Sequence, residues 1–227
     1  MKNKIESISQ NFFSFLFKPV CPLCQRTGKK LICEYCERKL LSCELPQHHF
    51  KVNQNYFLFI WGHYENYLKR AIFSFKYDRT PELGQVFGEL LAQSWAKNNL
   101  VKNHHQITIV PIPLHPQKLK ERGFNQGELI ANSFCKIMGY QHLPNLLTRV
   151  KNTDAMFGLN ATQRQANITQ AFTLGKDYPK FNRQHSVIIL DDIYTTGATV
   201  EEAIKVFNTL QIKVIGVIAI ASSIKSD

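Results

Sequence analysis

No apolar run in this chain reaches the length of a membrane-spanning helix, which argues against an integral membrane protein. There is no block of like charges and no low-complexity tract, so nothing marks a disordered tail. No internal repeat is evident, which argues against a stacked-repeat architecture. Acidic residues are scarce, 17 against 28 Lys and Arg, for a formal charge of +11. That imbalance disfavours cationic partners and suits a polyanion: nucleic acid, a phosphorylated metabolite, or both. The His48-His49 and His104-His105 pairs lack nearby acids at metal-site spacing, and both read as surface loops. Residues 12–17, FFSFLF, follow Lys2 and Lys4 in the manner of a signal peptide. No A-x-A-like cleavage site follows, and a cysteine pair begins almost at once. An amphipathic helix docked on a cytoplasmic protein is the expectation.

What is present is an apolar fraction of 44% over 227 residues, ample for a packed domain. Helical spacing joins Leu68, Ala71, Ile72 and Phe75, then Leu83, Val86, Phe87, Leu90, Leu91 and Trp95, then Leu129, Ile130, Phe134, Ile137 and Met138. Residues 56–64, 107–113, 187–190 and 214–221 read as strands, the last two rich in Val and Ile as buried parallel strands are. Strands alternating with helices predict a parallel α/β sheet, with ligands beyond the carboxyl ends of its strands. The polar stretch at 45–54, with Pro46, reads as a linker. It divides the chain into residues 1–50 and 51–227.

The first segment carries Cys21-Pro-Leu-Cys24 and Cys33-Glu-Tyr-Cys36. Each CxxC turn can aim two thiolates at one ion, and two such turns complete a tetrahedral structural zinc site. Gly28 provides a turn between them. A redox dithiol is the competing reading, while disulfides are disfavoured in a reducing compartment. Four thiolates on zinc leave a local charge of about −2. Cys135 falls in a helical pattern and reads as a core residue; Cys43 has no partner by spacing.

Residues 187–199, VIILDDIYTTGAT, are the most informative stretch. An apolar strand meets Asp191 and Asp192, then a hydroxyl-rich turn, then helical spacing through Val200, Ala203, Ile204, Phe207 and Leu210. The unpaired N–H groups and dipole of such a helix N-terminus suit a phosphate. Thr195, Thr196 and Thr199 add hydroxyls, and Gly197 permits close approach. Asp191 and Asp192 can accept from sugar hydroxyls or hold a hydrated metal ion. The implied ligand carries a phosphate, a ribose and magnesium. An ordinary βα unit using these residues as turn and cap is the bland alternative. Two further segments fit the same ligand. In residues 114–126, Lys118, Lys120 and Arg122 can neutralise pyrophosphate, or merely form a solvated turn. Residues 148–167, with Arg149, Lys151, Gly158 and Arg164, read as a long binding loop or lid.

The 187–199 stretch resembles the phosphoribosyl-pyrophosphate (PRPP) motif of type I phosphoribosyltransferases. With CPLC, CEYC, VPIPLHP, ERGFNQGELIA and LTRVKNTDAMFGLNATQRQANITQAF in order before it, nearly the whole chain resembles the ComF/GntX family. The resemblance implies a type I phosphoribosyltransferase-like parallel sheet flanked by helices, with a small N-terminal four-cysteine zinc module. It implies that Asp191 and Asp192 contact the ribose, the latter through magnesium waters. Thr195, Thr196, Gly197, Ala198 and Thr199 would hold the 5-phosphate. It also implies a role in natural competence, handling imported single-stranded DNA. Phe50, Tyr56, Phe57 and Phe124 are conceivable stacking groups, although most aromatics serve a core. A Mg·PRPP-dependent transferase is the alternative function. A PRPP sensor that binds a competence helicase or another DNA-uptake protein is a third. Two departures stand out. Met156 replaces a common Gln. Thr195 stands where purine-salvage relatives carry an acid, and no residue reads out an acceptor base.

Overall fold

The computed structural model describes residues 19–51, 56–98, 101, 106–152 and 168–224. The FFSFLF run, the His104-His105 pair, Met156, Gly158 and Arg164 lie outside the described residues, as does the side chain of Phe50. The chain divides into two compact units between Cys43 and Glu44, a little before the linker read from the sequence.

In the first unit, Val20 and Thr27 form an antiparallel bridge, and Glu34–Leu41 forms helix α1. Glu34 and Glu37 lie in its first turn and Arg38 and Lys39 in its last, complementing the helix dipole. Gly28 is not the special turn residue here. A Cβ on it would make only ordinary contacts, and the left-handed residue is Gln25, φ 62°, just after Cys24.

The second unit is built on a six-stranded sheet in the order β1-β2-β8-β7-β3-β4. Its strands are β1 (His49–Lys51), β2 (Phe57–His63), β3 (Ile107–Pro111), β4 (Gln141–His142), β7 (Ser186–Tyr194) and β8 (Val214–Ser222). All pair in parallel except β1, which runs antiparallel on the edge. Val187, Ile188, Ile189 and Leu190 are fully buried, which explains their unbroken apolar run: both faces of the strand are covered. Helices α2 (Asn66–Tyr77), α3 (Leu83–Asn98), α5 (Gln126–Met138) and α6 (Ala198–Asn208) flank the sheet. Helix α3 lies against α5 at close range; a Cβ on Gly88 would fall 2.7 Å from the Ile130 carbonyl oxygen. This is the parallel sheet flanked by helices that the sequence predicts.

Three sequence expectations are corrected. Residues 45–51 are not a free linker. Leu45 N–H donates to the Trp61 carbonyl at 2.9 Å, and β1 then pairs with β2. His48 is not on a surface loop. It is buried, with Nδ1 3.2 Å from the Ile60 carbonyl oxygen and Nε2 3.2 Å from Glu44 Oε1. Finally, the segment after β3 is not an open charged turn. Pro116–Arg122 forms a short helix, α4, capped by His115 and stopped by Gly123 at φ 88°.

That last segment explains much of the ERGFNQG motif. Gly123 ends α4 in the left-handed conformation that glycine alone adopts readily. Asn125 caps α5: its Oδ1 accepts from Gly127 N at 3.1 Å, while its Nδ2 donates to the Ile112 carbonyl at 3.0 Å. Arg122 donates to Gln126 Oε1 at 2.6 Å. Much of the motif therefore serves to seat two helices at the end of β3.

Candidate functional site

The parallel strands β2, β3, β7 and β8 end on one rim. Tyr64 N–H donates to the Ser222 carbonyl at 2.7 Å, and Ile112 N–H to the Leu190 carbonyl at 2.9 Å. Strand β7 runs further than its apolar residues suggest. It carries Asp191 and Asp192 within the sheet, to Tyr194, before the turn at 195–197. Helix α6 starts at Ala198, with Gly197 as its cap residue at φ 82°. Thr195, Thr196, Gly197, Ala198 and Thr199 thus form one continuous strand-to-helix turn, as the spacing predicts. The first N–H groups of α6 have no intrahelical partner and face outward along the helix axis.

Gly197 is required twice over. Its backbone is left-handed, and a Cβ there would lie 2.5 Å from the Tyr194 hydroxyl oxygen. Tyr194 is buried, and the Tyr56 phenol is near enough to act on it. Burial pushes the Tyr194 hydroxyl well above its ordinary pKa, so it stays protonated.

The carboxylates have different surroundings. Asp192 is bridged by Lys76, whose Nζ lies 2.9 Å from Oδ1 and 2.8 Å from Oδ2. Lys76 comes from the end of α2, 116 residues away, and nothing in its helical spacing singles it out. Asp191 Oδ1 accepts from the Asp192 N–H at 2.8 Å. Loss of hydration, with the Asp192 charge adding to it, pushes Asp191 up to about 7, against the opposing pull of Lys76 and Arg149. Arg149 sits in strand β5 (Leu147–Arg149), which pairs with β6 (Phe172–Leu174) in an antiparallel two-stranded sheet. Its guanidinium is buried over the Phe172 ring, at 5.6 Å from the centroid. Of the described basic residues in the 148–167 stretch, Arg149 is the one whose charge acts on Asp191. Lys151 instead donates toward the Thr169 carbonyl at 3.5 Å.

The raised Asp191 has a measurable consequence. Between about pH 5 and 7 the native carboxyl keeps its proton, whereas the unfolded one, with a pKa of about 3.9, has lost it. At this group the native state then binds more protons, so the Asp191 contribution to stability falls as pH rises through that window. His142, held low by burial, contributes in the opposite direction. Subtracting the Asp191→Asn profile from the parent profile removes that contribution. The difference is expected to slope downward to about pH 7 and then flatten; a flat difference in urea unfolding would refute it.

Lys118, Lys120 and Arg122 all lie on α4, after the end of β3, with Lys120 exposed. Arg122 also sits over the Tyr77 ring at 5.6 Å. Of the conceivable stacking groups, Tyr56 is buried, Phe57 packs on Trp95 at 5.7 Å, and Phe124 stacks on Phe75 at 5.5 Å. These three serve the core.

In the first unit, the sulfurs of Cys21, Cys24, Cys33 and Cys36 lie within 4.8 Å of one another, and the group could hold a metal ion. Cys24 and Cys33 sulfurs are 3.5 Å apart. The Cys36 N–H, at the start of α1, and neighbouring thiols lower Cys33 to about 7, which favours the ligating thiolate. Cys135, in contrast, is buried, and burial pushes its thiol up to about 12. Cys43 donates to the Lys39 carbonyl at 3.3 Å. Among the described residues, no helix is long and apolar enough to cross a membrane.

No family model matches the chain. Competence protein F of Haemophilus influenzae is 30% identical over 166 residues, 71% of each chain. Competence protein ComFC of Bacillus subtilis is 28% identical, covering 83% of this chain and 79% of its own. The DNA utilization protein YhgH of Escherichia coli O157:H7 is 26% identical over 81% of each. Among solved structures, a Staphylococcus aureus hypoxanthine phosphoribosyltransferase aligns at 12% identity and TM-score 0.38, over 65% of this chain and 70% of that one. Leishmania tarentolae adenine phosphoribosyltransferase aligns at 11% and 0.40, over 77% and 94%. The extent and identity of the first of these matches are those of a relative: the chain belongs to the competence protein F (ComF) family.

Proposed function

We propose that this protein handles single-stranded DNA in natural transformation and carries a pocket for PRPP or a related phosphorylated ribose at residues 191–199. The observation that carries the pocket is the turn itself. Two carboxylates at the end of a parallel strand lead straight into a left-handed Gly197 and a helix N-terminus. The names borne by relatives, competence proteins and a DNA utilization protein, support the DNA role.

In this reading the 5-phosphate takes the N–H groups and hydroxyls of residues 195–199. Asp191 accepts from a ribose hydroxyl. Asp192, now bridged by Lys76, exchanges part of that ion pair for the ligand's hydrated cation. Magnesium would supply charge neutralisation to the pyrophosphate. Lys118, Lys120 and Arg122 on α4 do the same with fixed charge. The four-cysteine cluster takes zinc, closed and structural, since four thiolates leave no position for substrate.

Fluorescence anisotropy of a labelled single strand, at low and moderate salt, tests the reading. Binding is expected to weaken steeply with salt, and Mg·PRPP is expected to compete with the strand. Lys118→Glu and Lys120→Glu should each weaken binding and lower the salt slope by about 1. No binding at low salt, or unchanged affinity and slope in both variants, would overturn it.

A further inference from the structure

Resting on that DNA-handling reading, we infer that the outer face of α2, together with the hollow between Arg79 and α4, is a stacking platform for the unpaired bases of single-stranded DNA. The core side of α2 uses Leu68, Ala71, Ile72 and Phe75. Phe73 and Tyr77 belong to the other side and remain 55% and 60% exposed. Four residues apart on one helix, they share a face, and their rings lie 4.7 Å apart at 44°. Arg70, three residues before Phe73, is exposed on the same stripe. Packing does not account for two large rings set side by side in water; a partner that covers them does.

The chemistry of that partner is set by the neighbouring charge. A hollow of about 270 Å³ is lined by Arg79, Lys120 and Arg122, with Glu121 the sole acid, and by Pro81, Gly123 and Phe124. Arg122 is held in place by Gln126 at 2.6 Å and lies over Tyr77. Arg79 adopts a left-handed backbone, φ 53°, two residues past the end of α2, after the exposed Asp78. In the lining three cations stand against one carboxylate, and even with Asp78 beside Arg79 the balance is positive and calls for an anion; the aromatic pair calls for flat apolar faces. Phosphodiester and base supply both, and only unpaired bases expose their faces. A second copy of this chain would bring the same cations against themselves. Lys76, next to Tyr77 in the chain, pairs with Asp192 at the edge of the 191–199 turn.

The test is a titration of an oligothymidine and of an abasic strand of equal length, both fluorescently labelled, using the full chain. The parent is expected to prefer the oligothymidine. A Phe73→Ser, Tyr77→Ser double variant should lose about tenfold on oligothymidine and little on the abasic strand. Arg79→Glu should weaken both and lower the salt slope by about 1. Both variants change exposed residues, and far-UV circular dichroism checks that the fold persists. If the parent binds strands but the double variant binds equally well, the platform is wrong while the DNA-handling reading stands. If the parent binds no strand, the broader reading fails first. Equal losses on duplex of the same length would remove base stacking as the cause. A parent dimer that the double variant dissociates would assign the face to a second copy and overturn the proposal.

Discussion

Replacing Cys36 with serine is expected to empty the metal site and unfold the described part of the first unit, residues 19–43. Cys21 and Cys36 are fully buried. Besides them, Ile32 and Leu40 are the buried apolar residues described there. A core of that size cannot offset the conformational entropy of even a short segment. On the proposed zinc reading, ligation supplies the missing free energy; in isolated zinc-binding peptides it is worth about 10–16 kcal/mol. Elemental analysis should find one zinc per parent chain and none in the variant, and limited proteolysis should cut within residues 19–43. Cys43→Ser and Cys135→Ser, outside the sulfur cluster, should keep the metal. A Cys36→Ser protein that retains one zinc and resists the protease would refute the structural role. A parent protein without zinc whose cysteines titrate as a reversible dithiol would favour redox chemistry instead.

The second large effect is expected at Gly197. An alanine there meets a left-handed backbone, at a cost of about 1–2 kcal/mol, and a Cβ 2.5 Å from the Tyr194 hydroxyl. Tyr194 has no room to swing clear, because it is buried. The turn must therefore move, and with it the N–H groups that we propose hold the phosphate. Calorimetric titration with Mg·PRPP should show affinity falling by about a hundredfold, against a loss in stability of only about 2–3 kcal/mol. Adding Tyr194→Phe removes the nearest clashing atom and should restore part of the affinity. Undiminished binding by Gly197→Ala would show that residues 195–199 do not hold the ligand.

Both effects fall on residues that the sequence already singles out, and the reason is local. CxxC turns and strand-turn-helix units are made by neighbours in the chain. Their spacing therefore determines their geometry before any long-range contact forms. The same holds for the parallel sheet, whose buried strands must be apolar throughout. What local pattern misreads is the boundary between element types. Strand β7 continues through Asp191 and Asp192 because sheet pairing with β8 extends to Tyr194, beyond the apolar run. Residues 116–122 looked like a charged loop because α4 buries no side chain of its own.

Periodicity reports which residues share a face; it does not report what that face meets. Lys76 and Tyr77 are consecutive in α2, yet one is drawn to Asp192 and the other is left exposed. Arg149 lowers the Asp191 pKa through the placement of β5, and His48 is buried through the pairing of its segment with β2. Local pattern in the chain is enough to find the cysteine cluster, the strand-turn-helix unit at 187–199 and the α/β class. Folding in three dimensions is needed to bring Lys76 onto Asp192 and to leave Phe73 and Tyr77 exposed. The physical reason is that those contacts depend on the order of strands in the sheet, which joins residues more than a hundred positions apart.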